Sequence, residues 1–334
     1  MQDIVDGKRI LREIRILRHL NHENIIQLTD LHYDQENIYI ITQFMDVDLH
    51  KVIVSMQELT DEHIQYIIYQ ILRGVKYIHS ANIVHRDLKP SNLLATESCE
   101  ISICDFGLSR QINSNPQGQE GQIDQNMTEY VVTRHYRAPE IMLSSHEYST
   151  AVDIWSIGCI LAELLTRKVV FNANNYMDQI RLILEKLGKP SEEDLNFITN
   201  QNARQFINQL PDKPQTSTKS FINYQNEKAL DLLDKMLTIN PSKRYNAVQC
   251  LQHPYLENLH EESDEPIFEG SIDFSFENNS SLGMQEMHNI ILQEIQKPVE
   301  DRQKDIQQEF NQGDQQQQYQ QEIQQTVYQQ QANQ

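Results

Sequence analysis

Residues that could carry out acid–base and metal chemistry are concentrated in two short stretches of the chain. Residues 85–92 have the sequence HRDLKPSN, and residues 105–107 have the sequence DFG. A carboxylate can accept a proton from a hydroxyl group, and a lysine can offset the charge that develops on phosphate oxygens. Carboxylate and amide oxygens are ligands that Mg²⁺ prefers. The side chains that together could support magnesium-dependent phosphoryl transfer are Asp87, Lys89, Asn92 and Asp105.

The order and spacing of these residues are typical of protein kinases. In such enzymes a residue in the position of Asp87 accepts the proton of the substrate hydroxyl, and one in the position of Lys89 reaches the γ-phosphoryl oxygens. Asn92 and Asp105 are then the magnesium ligands, together with the phosphates of the nucleotide. Glu13 is the candidate partner of a nucleotide-contacting lysine; the alternative is a solvated glutamate on a charged helix face.

Composition and charge argue against several other classes of protein. The chain has 334 residues and a formal net charge of −20, which disfavours nucleic-acid binding because phosphates are repelled. No run approaches ~20 consecutive apolar residues, so we expect no membrane span. The N-terminus lacks the apolar run of a signal peptide. The cysteines lie scattered through the chain, which indicates reduced cytosolic thiols rather than a disulfide framework.

Hydrophobic periodicity predicts the elements that must position the chemical groups. Residues 10–17 alternate apolar and basic residues at helical spacing, which predicts an amphipathic helix carrying Glu13. Residues 37–44 are rich in β-branched and aromatic residues and predict a strand, with residues 28–33 as its hairpin partner. From Thr60, an N-cap residue before an acidic turn, helical periodicity dominates. Further helices, the first of them buried, are predicted over residues 153–162, 176–187, 192–209 and 227–237.

The chain from about residue 8 to residue 298 resembles the mitogen-activated protein kinases, most closely the extracellular-signal-regulated group. Besides the two catalytic stretches, the matching segments are residues 8–14 (KRILREI), 22–26 (HENII), 69–82 (YQILRGVKYIHSAN), 132–140 (VTRHYRAPE), 153–156 (DIWS), 230–237 (LDLLDKML) and 263–266 (SDEP). The resemblance implies an α+β, two-lobed protein-kinase fold with a mainly helical large lobe. It also implies ATP and Mg²⁺ as cofactors, and a protein substrate whose serine or threonine precedes a proline.

The resemblance also implies a phosphorylation switch within an activation loop spanning residues 105–140. The family's dual motif stands here as TEY, with Thr128 and Tyr130 as the phosphorylated residues. Each phosphate adds about −1.5 to −2 charge and pairs with arginines. The arginines that the resemblance nominates are Arg9, Arg12, Arg86 and Arg110 for Thr128, and Arg134 and Arg137 for Tyr130.

The resemblance to the family implies an adenine site at residues that would otherwise be interpreted as ordinary strand or core residues. Gln43, Phe44 and Met45 are expected to form the hinge, whose backbone hydrogen-bonds adenine. Thr42 is then the gatekeeper, and Leu94 forms the floor of the pocket. Without the resemblance, none of these residue types would single out a nucleotide site.

Two further ionic features follow from the resemblance. Glu140 is expected to pair with Arg244, a structural ion pair of the fold. Glu261, Asp264 and Glu265 resemble the acidic docking site that holds basic segments of activators and substrates. The alternative for such a charge run is a solvated face without a partner.

The sequence departs from the family pattern at its beginning. No Gly-rich loop and no lysine-bearing strand precede Glu13, and Lys8 lies on the predicted helix itself. We therefore expect an incomplete small lobe without its first strands, and weak binding of Mg-ATP by these residues alone. Either the sequence is a piece of a longer kinase, or it is a naturally shortened, non-catalytic docking or scaffold module. We favour the first, because an inactive module has no need for the complete catalytic set.

These inferences define the expected organisation and partners. The predicted units are residues 1–45 (partial small lobe), 46–256 (large lobe), 257–298 (docking and lobe-wrapping extension) and 299–334 (Gln-rich disordered tail). The expected partners are an upstream dual-specificity kinase, and protein substrates and phosphatases with basic docking segments. The expected location is the cytoplasm, with the nucleus left open as a second one.

Overall fold

The computed structural model describes residues 3–34, 36–112, 134–143 and 149–297. Thr128, Tyr130, most of the predicted activation loop and the Gln-rich tail lie outside these residues. Within them the protein is an α+β structure in which short strands come early and helices dominate afterwards.

The described residues form the following elements in chain order. The strands are β1 Leu28–Tyr33, β2 Ile38–Thr42, β3 Val47–Asp48, β4 Ile83–Val84, β5 Leu93–Ala95, β6 Ile101–Ile103 and β7 Arg110–Gln111. The α-helices are α1 Ile4–His19, α2 Leu49–Val54, α3 Asp61–Ser80, α4 Pro139–Leu143, α5 Ala151–Thr166, α6 Tyr176–Leu187, α7 Gln201–Gln209, α8 Glu227–Met236, α9 Ala247–Leu251 and α10 Met284–Gln296.

Helix α1 and the β1–β2 hairpin make up the small-lobe part of the molecule. The helix begins earlier than residues 10–17 predict, because Asp3 acts as its N-cap and accepts a hydrogen bond from the backbone of Asp6. The hairpin is antiparallel, as predicted, with Leu31 paired to Ile40. An irregularity between Leu28 and Asp30 shifts the register at the end of β1.

Two small sheets carry the catalytic stretches. Strands β3, β5 and β6 form an antiparallel sheet in that order, and β4 pairs with β7. Residues 85–92 run from β4 to β5, and residues 105–107 follow β6. Because β5 and β6 are neighbours, both catalytic stretches are held at this sheet.

The large lobe is built from packed helices. Thr60 caps α3 in a reciprocal capping box with His63, which confirms the predicted start of this helix. Helix α5 is buried along nearly its whole length, as its apolar sequence predicts. The prediction of a helix over residues 192–209 was wrong for the first half of that range. Asn200 instead caps the shorter helix α7, accepting hydrogen bonds from the next turn.

The C-terminal part of the described chain returns to the small lobe. Helix α10 packs against α1, and Arg15 of α1 pairs with Asp273 at 2.8 Å and with Glu294 at 3.2 Å. Tyr33 of β1 lies against the ring of His288. The extension therefore contacts both elements of the small-lobe part. Within the described ranges, no helix combines the length and the hydropathy required to cross a membrane.

Candidate active site

The four predicted catalytic side chains lie side by side. The Nζ of Lys89 lies 2.6 Å from Oδ2 of Asp87, and both side chains are largely buried. The amide Nδ2 of Asn92 donates to Oδ2 of Asp87 at 3.1 Å and to Oδ2 of Asp105 at 3.2 Å. A single amide group therefore bridges the candidate base and the candidate magnesium ligand. This contact fixes the separation of the two carboxylates.

The loop that carries Asp87 is held in place by a side chain of α5. The carboxylate of Asp153, fully buried, accepts hydrogen bonds from the backbone N–H groups of His85 at 2.9 Å and Arg86 at 2.8 Å. It also contacts Nε2 of His79 at 2.8 Å. Burial favours a higher pKa for Asp153, but the hydrogen bonds from His79 and Arg86 outweigh it, so the net pKa lies below the ordinary value.

A second contact fastens the Asp87 loop to the Asp105 loop. Nε2 of His85 lies 3.0 Å from the carbonyl oxygen of Cys104, and the His85 ring packs edge-on against Phe106. Arg86 and Asp105 have φ angles of 71° and 65°, in the left-handed region that residues with a side chain rarely adopt. Such conformations persist where the surroundings impose them, as these contacts do.

Glu13 projects from α1 toward this site. Its pKa is raised to about 7, first by burial and then by the negative charge of Asp105. Among the described residues, none forms a salt bridge with Glu13. Lys8 donates instead to the backbone carbonyl of Glu277, at 2.8 Å. The structure thus brings Glu13 near the magnesium ligand and separates it from Lys8.

The predicted adenine-binding residues lie at the end of β2, in the segment between β2 and β3, and in β5. Thr42 is the last residue of β2, and Leu94 is the central residue of β5. Between β2 and β3, Nε2 of Gln43 donates to the sulfur of Met45 at 3.2 Å, and Phe44 is 83% exposed.

The donor set fits a magnesium ion held jointly by protein and nucleotide. No group of three or more His, Cys, Asp and Glu side chains within the described ranges could hold a metal by itself. Mg²⁺ is commonly bound by one or two protein oxygens together with substrate phosphates. The carboxylate of Asp105 and the amide of Asn92 are adjacent and supply that number of hard ligands.

Three of the predicted phosphate-pairing arginines, Arg12, Arg86 and Arg110, gather around the chain that follows Asp105, and we call them the arginine cluster. They donate to consecutive carbonyl groups, which are Gly107 O for Arg12, Leu108 O for Arg86 and Ser109 O for Arg110. Arg9 lies nearby on α1 but is more exposed, and its nearest acid is Asp6 at 3.9 Å. The predicted set is therefore assembled, with Arg9 at its edge.

The arginines predicted to pair with Tyr130 lie elsewhere, against α6. Both guanidinium groups lie over the ring of Tyr176, and Arg137 also donates to its hydroxyl at 2.5 Å. Arg134 donates to the carbonyl of Asn174. Because Tyr130 lies outside the described residues, its pairing with these arginines stays a prediction.

The predicted ion pair of the large lobe is confirmed. Arg244 pairs with both carboxylate oxygens of Glu140, at 2.6 Å and 3.0 Å, and both side chains are buried. The guanidinium group also stacks over the ring of Trp155, 5.1 Å from its centroid. The pair therefore joins α4 to α5 and to the segment before α9.

The predicted docking residues have two different environments. Glu261 and Asp264 are exposed, at the short 3₁₀ helix Glu262–Asp264. The side chain of Glu265 is only 1% exposed, because it is held between Lys76 at 3.2 Å and His260 at 2.7 Å. The expectation that all three carboxylates face a peptide is therefore corrected for Glu265, which joins the extension to α3.

Two acidic residues with site contacts received no role from the sequence. Asp153 anchors the catalytic loop, and its signal was an acid in the first turn of an otherwise apolar helix, since a buried acid must be paired. Glu277 pairs with Arg12 of the arginine cluster at 2.6 Å. Glu277 lies in a polar stretch far from α1 in sequence, so no local signal could have identified it.

Comparison with known proteins shows the family to which the chain belongs. The protein kinase domain matches residues 1–256. Mitogen-activated protein kinase 3 of Arabidopsis thaliana and mitogen-activated protein kinase 5 of Oryza sativa subsp. indica are each 48% identical over 295 residues, covering 87% of this chain and 77% of each relative. Extracellular signal-regulated kinase 1 of Dictyostelium discoideum is 49% identical over 280 residues, which is 82% of this chain and 52% of that protein. The chain therefore belongs to the protein kinase family, as a serine/threonine kinase of the mitogen-activated type.

Proposed function

We propose that this kinase transfers the γ-phosphoryl group of ATP to serine or threonine residues that precede proline, and that it acts in intracellular signal transduction. The observation that carries the chemical part is the bridge from Asn92 to Asp87 and Asp105. It holds the candidate base and the candidate magnesium ligand in one rigid group. Preference for proline rests on the family resemblance.

Each catalytic side chain has one task in this proposal. Asp87 accepts the proton of the substrate hydroxyl, and Asn92 keeps its carboxylate oriented. Lys89, at 2.6 Å from Asp87, moves toward the γ-phosphoryl oxygens and offsets their charge. Asp105 and Asn92 would hold Mg²⁺, which neutralises phosphate charge when bound. Catalysis of this kind consists mainly of positioning and electrostatic stabilisation.

The proposed switch is phosphorylation of Thr128 and Tyr130 by an upstream dual-specificity kinase. The supporting observation is the arginine cluster, which presents several guanidinium groups to one short stretch of backbone. A phosphate paired with buried arginines forms charge-assisted hydrogen bonds that order a loop. Substrates and phosphatases with basic segments would bind at Glu261 and Asp264. We place the protein in the cytoplasm, with the nucleus left open.

The catalytic assignment is tested in the dually phosphorylated enzyme. Asp87→Asn removes the base but keeps its shape, so kcat should fall about 10²- to 10⁴-fold while the melting temperature changes little. Asp178→Asn, on the exposed face of α6, is the matched control and should retain full kcat. Undiminished turnover in Asp87→Asn would exclude this residue as the base.

The switch is tested separately. Incubation with an active dual-specificity kinase should raise the activity of the wild-type protein, whereas a variant with Thr128→Ala and Tyr130→Phe should stay at its basal level. Phosphate incorporation is followed by mass spectrometry. Normal activation of the double variant would place the switch at other residues.

A further inference from the structure

An open cleft lies in the large lobe, where the segment of residues 219–225 leads into α8. Its volume is about 390 Å³, which is within the size range of sites for small organic molecules. Ile222 and Leu230 are buried residues of its lining, and the aromatic residues Phe221 and Tyr224 line it as well. None of these residues belongs to the catalytic site. The cleft therefore has no role in the phosphoryl transfer described above.

The segment that forms the wall of this cleft is anchored at both ends. Before it, the backbone N–H of the buried Thr218 donates to Oδ1 of Asp234 at 2.7 Å. At the other end, the hydroxyl group of Tyr224 donates to Oδ1 of Asp61 at 2.8 Å. Nδ2 of Asn226 donates to the second oxygen of the same carboxylate, also at 2.8 Å. Because the wall is held in this way, little ordering of its backbone would oppose the binding of a ligand.

Two side chains of opposite charge line the same cleft. Nζ of Lys219 lies 3.4 Å from Oε2 of Glu227, and the two side chains are 48% and 82% exposed. An ion pair that is this open to water is weak, so each partner can also bind a charged group of a ligand. A ligand with a charge of one sign would be attracted by one of the two side chains and repelled by the other. The lining is therefore complementary to a molecule that carries both charges.

We propose that this cleft binds a small zwitterion with an aromatic side chain, that is, a free aromatic amino acid. The carboxylate of the ligand pairs with Lys219, and its ammonium group pairs with Glu227. The side chain of the ligand packs against Phe221 and Tyr224, since aromatic rings attract one another beyond the burial of their area. The site uses none of the catalytic residues, so this inference is independent of the proposed function.

Binding is measured with the full chain and 5-fluoro-L-tryptophan as the probe, in a fluorine-19 NMR titration. We expect a dissociation constant of about 1 mM, which is typical of a ligand of this size. Lys219→Gln and Glu227→Gln each remove one charge from the exposed part of the lining, and each should weaken binding about two- to fivefold. Lys228→Gln is the matched control, because Lys228 is an exposed residue of α8 that pairs with Glu257 outside the lining. Its affinity should equal that of the wild-type protein.

Two probes that lack one charge identify the partner of each group of the ligand. N-acetyl-5-fluoro-L-tryptophan has no ammonium group, so it should bind more weakly than the zwitterion, and Glu227→Gln should not weaken its binding further. 5-Fluorotryptamine has no carboxylate, and Lys219→Gln should not weaken its binding further. Equal affinity of the three probes, equal affinity of the wild-type protein and both charge variants, or no binding up to about 10 mM of the zwitterion would each overturn the proposal.

Discussion

The carboxylate of Asp153 holds the backbone of Arg86, with 2.8 Å between Oδ1 and the amide nitrogen. Its other oxygen accepts from the backbone of His85 at 2.9 Å and contacts Nε2 of His79 at 2.8 Å. Since Arg86 directly precedes Asp87, the acid in α5 fixes the start of the catalytic loop. The position of the base thus depends on a helix far along the chain.

Asp153→Asn should lower both stability and activity. The NH₂ group of the new side chain would face the backbone N–H groups of His85 and Arg86, which are also donors. A buried hydrogen bond would therefore be lost. We expect the free energy of unfolding to fall by about 2–4 kcal/mol, measured by urea unfolding. Asp231→Asn is the matched control, because Asp231 also pairs with a histidine, His253 at 2.9 Å, but is 55% exposed. Its cost should stay below about 1 kcal/mol. Equal losses in both variants would contradict the anchoring role.

Glu13 should make stability depend on pH in a defined window. Its folded-state pKa of about 7 lies above the ordinary value of 4.5, so the folded protein binds the proton more tightly than the unfolded chain. Stability should therefore fall as the pH rises from 4.5 to 7 and level off above that. Glu13→Gln should remove this slope and stabilise the protein at pH 7.5 by about 1–3 kcal/mol, with little effect at pH 4.5. Parallel melting-temperature curves for the two proteins between pH 4.5 and 8 would refute it.

Breaking the Glu140–Arg244 pair from one side should be strongly destabilising. Glu140→Ala leaves a buried, uncompensated guanidinium group, and we expect a loss of about 3–5 kcal/mol in the free energy of unfolding. The exposed pair of Lys228 and Glu257 provides the comparison, and Glu257→Ala should cost less than about 1 kcal/mol. Chemical denaturation of both variants checks the difference. A cost below about 1 kcal/mol for Glu140→Ala would show that the pair is dispensable.

The predicted docking residues should respond differently to substitution. Replacing Glu261 and Asp264 by lysine should weaken binding of a basic docking peptide about tenfold at low salt, because both carboxylates are exposed. The folding stability of this variant should change little. Fluorescence anisotropy measures the binding, and affinity of the wild-type protein should decrease as salt is raised. Unchanged affinity in the double variant would leave the acids as a solvated surface.

Glu265→Gln should act on stability instead. Its carboxylate is buried beside Lys76, whose side chain is 11% exposed, so the variant leaves a partly buried ammonium group with a weaker partner. We expect the free energy of unfolding to fall by about 1–3 kcal/mol, measured by thermal and urea unfolding. Reduced peptide binding at full stability would instead return Glu265 to the docking surface.

Local chemistry was sufficient for several elements and for the catalytic set. Thr60 and the acidic turn after it predicted the start of α3, because an N-cap acts on the adjacent backbone. A stretch rich in β-branched and aromatic residues predicted β2, and its hairpin partner β1 lies close to it in sequence. The helix predicted over residues 192–209 was too long, because Asn200 was not recognised as the N-cap of α7.

The sequence by itself determined which residues could do chemistry, since Asp87, Lys89, Asn92 and Asp105 lie close together in the chain in an order and spacing typical of protein kinases. Tertiary structure decided which charged groups are exposed and which are paired. Asp264 and Glu265 are neighbours in sequence, yet one is exposed and the other is buried against Lys76. Arg12 meets Glu277 only because the C-terminal extension returns to α1. The cost of burying a charge depends on what packs around it, and distant segments supply those partners.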